Sequence, residues 1–294
     1  MTGSAAVFAP GFFSSGPVHT ALALGGVVAI VCGTVGVFTV IRGQAFAGEA
    51  LSDIGAAGGS ASFLAGVAPI WGFLAASLGA AAAMEMIGVQ RARGRDLATG
   101  IVLGGSLGLA ALFLYLDSTL QTGTGTTVTV LFGSLFTLNS SLIPAVVTLS
   151  LIAAGLVCVL QRPLMLSSLN PDLAAVRGIP VRWLGVAYLA ALAVAVALAA
   201  LTIGAILGTA LVVGPAATAL RLTRRPGLAM LAAAGLGLLA VCLGVVLAYD
   251  SYLWPPRGHG WPVSFFVVTL VFLFYLFFGS SGPKRIRQRE QGSR

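Results

Sequence analysis

Long stretches without a charge leave this chain one kind of solvent. Val18–Ile41, Leu142–Leu160 and Gly227–Tyr249 contain no Asp, Glu, Lys or Arg. Each is about as long as the ~20 residues a helix needs to cross a hydrocarbon core of roughly 30 Å. With no water to satisfy backbone N–H and C=O groups, such runs must become helices. Of 294 residues, 58% are hydrophobic and 8% charged, against about 25% charged in soluble domains. A water-facing surface cannot be built from that composition, so the fold class is all-α, a polytopic transmembrane helical bundle.

The periodicity and breaks predict about nine spans. They are Val18–Ile41, Gln44 to about Val67, Ile70–Val89, Leu97–Leu116, Leu142–Leu160, Val181–Leu201, Thr202–Leu222, Gly227–Tyr249 and Pro262–Phe278. Val128–Thr137 is apolar but too short to cross and reads as a re-entrant or surface segment. Asp117–Thr127 reads as a polar loop, Asp250–Trp261 as a wet one. Residues 1–17 lack the positive region of a cleavable leader. They read as an extracytoplasmic tail of a single transmembrane domain covering 1–294, with 164–180 and a basic tail, 280–294, on the cytoplasmic side.

Orientation follows from arginine. With Arg42 inside, alternation over nine spans puts every positive charge but Arg257 inside as well, the pattern of the positive-inside rule. The N-terminus is then outside and the C-terminus inside. The net charge of +8 therefore reads as membrane topology and gives no reason to expect nucleic acid. Trp254 and Trp261 read as interfacial anchors.

Two acids stand out inside the second span. Glu49 and Asp53 are four residues apart, hence one turn apart on the same helix face. Each carboxylate near a helix centre costs roughly 2.5–3.5 kcal/mol on insertion scales, and like charges at this spacing repel. A cation between them, or a wet lumen beside them, relieves both costs; a solvated helix start near the cytoplasmic side is the plain alternative. The following Ala/Gly/Ser run, including Gly55, Gly58 and Gly59, suits close helix packing. Gly214-Pro215 reads as a kink in the seventh span.

Catalytic machinery is missing. Lys284 is the lone lysine and is followed by Arg285, so no Gly-x-x-x-x-Gly-Lys-Ser/Thr phosphate loop exists here and ATP-driven work belongs to a partner. His19 and His259 lie far apart with no Glu-x-x-His context. Cys32, Cys158 and Cys242 stand singly in apolar runs and read as small core residues. No permanently bound cofactor is expected.

The interlude Leu164–Pro180 carries Asn170-Pro171-Asp172-Leu173-Ala174-Ala175-Val176-Arg177-Gly178. Pro171 at a first helical position and Asp172 in the first turn predict a short helix closed by Gly178. Such a helix lies at the interface as a connector or fits a groove on another protein.

This stretch, with Ile179-Pro180, resembles the coupling element of the zinc/manganese/iron permease family of bacterial ABC importers. Glu49-Ala50-Leu51-Ser52-Asp53 resembles that family's Asp-Ala-Ile/Leu-Ser-His. Leu131-Phe132-Gly133-Ser134 resembles its Leu-Phe-Gly-Ser element. Gly204-Ala205-Ile206-Leu207 and Leu211 to Ala219 resemble its Gly-x-Leu-Leu and Leu-Leu-x-x-Pro-Ala-Ala-x-Ala run. The matches span about 18–280 in register.

The resemblance implies a permease subunit working by alternating access, paired with a second copy or close homologue. Cytoplasmic ABC ATPases would couple through Pro171, Asp172, Ala174, Arg177 and Gly178, and an extracytoplasmic lipoprotein would deliver the metal. Glu49 and Asp53 take the positions of the family's metal-contacting acid and His. Carboxylate in place of imidazole favours Mn²⁺ or Fe²⁺ over Zn²⁺. Two rivals remain: an ABC permease for a metal chelate such as a siderophore or cobalamin, and a self-sufficient secondary cation transporter using the acid pair as a relay.

Overall fold

The computed structural model describes residue 12 and residues 15–87, 92–120, 125–133, 135–254 and 260–279. Among them the regular structure is helical, without a strand. The α-helices in order are α1 Gly16–Ile41, α2 Ala45–Leu64, α3 Pro69–Ile87, α4 Ala92–Leu120, α5 Gly125–Phe132, α6 Ile143–Leu169, α7 Pro171–Val176, α8 Val181–Ile203, α9 Ala205–Leu222, α10 Pro226–Asp250 and α11 Val263–Gly279. The predicted spans each find one long helix in this order. Six of them, α1, α3, α6, α8, α9 and α10, are long and apolar enough to cross a membrane. The apolar parts of α4 and α11 are shorter, Leu103–Thr119 and Val263–Phe278, and α2 is diluted by Ala, Gly and Ser. The chain is a multi-pass membrane protein.

Helix burial sorts centre from rim. The apolar windows of α1 and α8 are both 78% buried, that of α6 only 22%. α1 packs on α10, α9, α6 and α8, while α2 packs on α3, α4, α8, α9 and α5. Lipid is as apolar as leucine, so association relies on close van der Waals contact between small residues. Where α2 meets α3, a Cβ placed on Gly58 would lie 2.3 Å from the Gly72 carbonyl oxygen. The expected packing role of that glycine run is met.

Two side-chain contacts and one cavity fix helix directions. The Arg42 guanidinium, just past α1, lies 4.9 Å from the Tyr188 ring centroid near the start of α8. Arg221 at the end of α9 donates to the Tyr275 hydroxyl near the end of α11 and sits 4.1 Å over its ring centroid. These contacts mark a basic end. The start of α1, the ends of α8 and α10 and the start of α11 meet around one cavity at the opposite, aromatic end.

Several boundaries differ from the sequence reading. α6 does not stop at Leu160 but runs through Pro163 to Leu169, so the interlude of 164–180 shrinks to the residues after Leu169. α4 begins before Leu97 and continues past Leu116; Asp117 is a buried helical residue, not the start of a polar loop. α5 is no surface segment: it packs against α2, α4, α8 and α9, with Val130 buried. α9 runs unbroken through Pro215, and the Thr218 hydroxyl donates to the Gly214 carbonyl at 2.9 Å. Cys32 is a core residue, its thiol 3.6 Å from the Ala195 carbonyl. Cys158 is exposed, because Ser150, Ala153 and Val157 define the inward face of α6, and Cys242 on α10 is half-buried. The tails 1–11 and 280–294, with Arg91, Arg257 and His259, lie outside the described residues; His19 is exposed in the first turn of α1.

Candidate functional site

The acid pair lies one to two turns into α2, directly after the tight Arg42-Gly43-Gln44 turn. That turn is set by backbone bonds from Arg42 N–H to Phe38 O at 2.9 Å and from Gln44 N–H to Thr39 O at 2.9 Å. Asp53 is 9% exposed and Glu49 is partly exposed. Glu49 lies one turn earlier on the same helix, near enough to act on the Asp53 carboxylate. No group of three or more His, Cys, Asp or Glu forms among the described residues. The pair offers hard carboxylate oxygen donors.

Neighbouring side chains anchor this stretch of α2 on both faces. The Ser52 hydroxyl donates to the Ala205 carbonyl at 2.9 Å, tying the acid helix to the first residue of α9. The Ser77 hydroxyl of α3 donates to the Leu51 carbonyl at 3.0 Å. Below the pair, the fully buried Thr39 hydroxyl lies 2.8 Å from the Tyr188 hydroxyl. Thr39, Arg42 and Tyr188 thus join α1, the α1–α2 turn and α8.

The second predicted set forms a compact surface unit. The Asn170 side chain accepts a hydrogen bond from Leu173 N–H at 3.0 Å, a regular N-cap. Pro171 opens α7, Asp172 sits in its first turn, Arg177 caps it and Gly178 follows with φ +77°. Ala174 is fully buried, while Pro171, Asp172, Arg177 and Gly178 are exposed. The apolar Leu173 and Val176 are exposed too, which leaves α7 with an apolar outer side at the basic end.

The sequence did not announce the aromatic-end cavity, about 670 Å³ in volume. Its lining includes Phe132, Gly133, Thr202, Tyr249, Trp261 and Ser264. Trp261 and Phe266 stack at 6.2 Å beside it. Neither Glu49 nor Asp53 lines it. Nor was the Thr39–Arg42–Tyr188 cluster foreseen. The single-letter signals existed (an Arg closing a span, a Tyr in an Ala-rich one) but their pairing is a property of helix directions.

Comparison with known proteins fits this arrangement. The manganese transport system membrane protein MntC of Listeria innocua is 28% identical over 287 residues, covering 97% of this chain and 99% of its own. The manganese import system permease protein ScaB of Streptococcus parasanguinis is 28% identical over 235 residues, covering 79% and 80%. Among solved structures, PsaBC from Streptococcus pneumoniae in complex with Fab matches in fold with a TM-score of 0.79 at 22% identity, over 96% of this chain and 97% of that one. The model of the ABC 3 transport family matches residues 17–279. With nearly the whole helical bundle inside that match, the chain belongs to the ABC 3 transport family.

Proposed function

We propose that this chain is the membrane-spanning permease subunit of an ATP-driven importer of divalent transition-metal ions, with Mn²⁺ the favoured cargo. The observation that carries the reading is the carboxylate pair Glu49/Asp53 on α2, with Asp53 buried and the intervening Ser52 tied to the start of α9. A divalent cation shedding part of its water neutralises that pair, and hard oxygen donors suit Mn²⁺ better than a softer ion. The names of the relatives point the same way. The chain does no ATP chemistry itself. Cytoplasmic ATPases bind α7 through the residues from Pro171 to Gly178, an extracytoplasmic metal-binding lipoprotein docks at the aromatic end, and a second permease copy completes the pathway. In this reading nine helices span a bacterial inner membrane, N-terminus outside and C-terminus inside, so the basic end is cytoplasmic.

The test is uptake of Mn²⁺, Zn²⁺ and Fe²⁺, offered separately to a transport-deficient strain supplied with the ATPase and binding protein. Wild type and the Glu49→Ala/Asp53→Ala double variant are compared, with membrane levels matched. Restored uptake of Mn²⁺ by wild type and none by the double variant is the expected result. Equal uptake by both would remove the acid pair from the path, and no uptake by either would remove free metal ions as cargo.

A further inference from the structure

The aromatic-end cavity is walled mainly by apolar groups and rings, and the chain enters α1 at its rim. Phe132, Tyr249 and Trp261 stand in the wall. So do Ser15, which caps the start of α1, and Pro17 and Val18 in its first turn. The Thr202 hydroxyl in the same wall is already committed, donating to the Leu198 carbonyl at 2.9 Å. Such a wall has little to offer a charged or strongly hydrated group. What it recognises is an apolar or aromatic side chain, through area removed from water and ring-edge contacts.

Phe12 shows how a group of that kind sits here. It is 3% exposed, and its ring meets the Tyr249 ring edge to face at 5.3 Å. Ser15 N–H donates to the Phe12 carbonyl at 3.4 Å, which folds the chain back at the start of α1. The residues that precede Phe12 are therefore delivered beside a residue of the cavity wall. They are residues 1–11, and no charged side chain occurs anywhere in residues 1–41. Ala5-Ala6-Val7-Phe8-Ala9 is apolar, and Pro10-Gly11 after it is the pair that a type II turn takes at its two central positions. Four residues of extended chain reach about 13 Å, so Phe8 has the length to enter a cavity whose rim lies at Ser15.

We propose that the aromatic-end cavity is the seat of this chain's own N-terminal segment, with Val7 and Phe8 as the side chains it takes. Phe8 meets the wall rings as Phe12 meets Tyr249, and Val7 adds apolar contact. The tether at the rim holds the segment at an effective concentration of millimolar order, so a free apolar molecule or a lipid chain has to displace it. The wall is drawn from α1, α5, α10 and α11, so the seated segment joins the outer ends of helices that meet only around this space. The inference concerns the cavity alone and is independent of the cargo and of the acid pair.

The experiment uses the full chain in nanodiscs of phosphatidylethanolamine and phosphatidylglycerol, with Phe8 replaced by p-benzoylphenylalanine, a photoreactive residue that keeps an aromatic ring. After illumination and digestion we expect crosslinks within the chain to peptides carrying Phe132, Tyr249 or Trp261. Crosslinks only to lipid, or only to another copy of the chain, would overturn the seat. The second measurement is the rate of thiol modification of Thr137→Cys, another wall position, with Cys32, Cys158 and Cys242 replaced by alanine. Adding Val7→Ser and Phe8→Ser should speed that reaction at least fivefold. Equal rates with and without the two serines would overturn the proposal. So would a rate indifferent to them that rises on transfer from nanodisc to detergent, which would assign the cavity to a lipid chain.

Discussion

Asp53→Asn tests whether the acid pair is a strained, metal-seeking arrangement. The two groups are one turn apart on α2, where Cβ atoms stand about 5–6 Å from each other. Two full charges at that range repel by roughly 3 kcal/mol in an effective dielectric of about 20. Glu49 is partly exposed, so solvent screening reduces the figure to about 1 kcal/mol. Removing one charge should therefore stabilise the metal-free protein by that amount, a rise in melting temperature of roughly 2–4 °C for a chain of this size. Metal reverses the order. At a hundredfold excess over its Kd, an ion binding the folded wild type adds about 2.7 kcal/mol, and Asp53→Asn, short of one anionic oxygen, should gain little. The assay is thermal unfolding of the purified permease in detergent, with chelator and then with Mn²⁺. The reasoning is refuted if Asp53→Asn melts below wild type in chelator and both variants gain equally from Mn²⁺.

Tyr188→Phe removes one partner of the buried hydroxyl pair with Thr39, whose own hydroxyl still reaches the Val35 carbonyl at 3.2 Å; thermal unfolding should register a loss of about 0.5–1.5 kcal/mol, and a null result would remove the cluster as a tie between α1 and α8. Val176→Asp changes an 86% exposed residue of α7, so insertion and melting temperature should hold while the amount of co-purified ATPase subunit falls several-fold; unchanged co-purification would move the ATPase contact off α7.

The helices were legible because a bilayer imposes length and apolarity on each span separately, and both are one-dimensional properties. Capping was legible for the same reason: Asn170, Pro171 and Gly178 act on their own helix. The reading failed where local chemistry met tertiary context. The fifth span was read as ending at Leu160, yet α6 passes through Pro163 to Leu169. Asp117 marked a loop, yet it is helical and buried. For the site, the spacing of Glu49 and Asp53 was enough to place them on one face. The close approach of the end of α5 to the α8–α9 joint, where a Cβ on Gly204 would lie 2.3 Å from the Leu131 carbonyl oxygen, could not be read the same way, because nothing local to either segment brings them together.

The length of α6 has a consequence for reach. Its 27 residues extend about 40 Å at 1.5 Å per residue, whereas the hydrocarbon layer is about 30 Å deep. The surplus, roughly 10 Å, matches the part from Arg162 onward, where the first charge of the helix appears. The segment from Arg162 to Leu169 is still packed, with Leu164 and Ser167 buried, so α7 follows at once on a continuous, anchored helix. A push on α7 is therefore delivered to a helix rather than to a flexible loop.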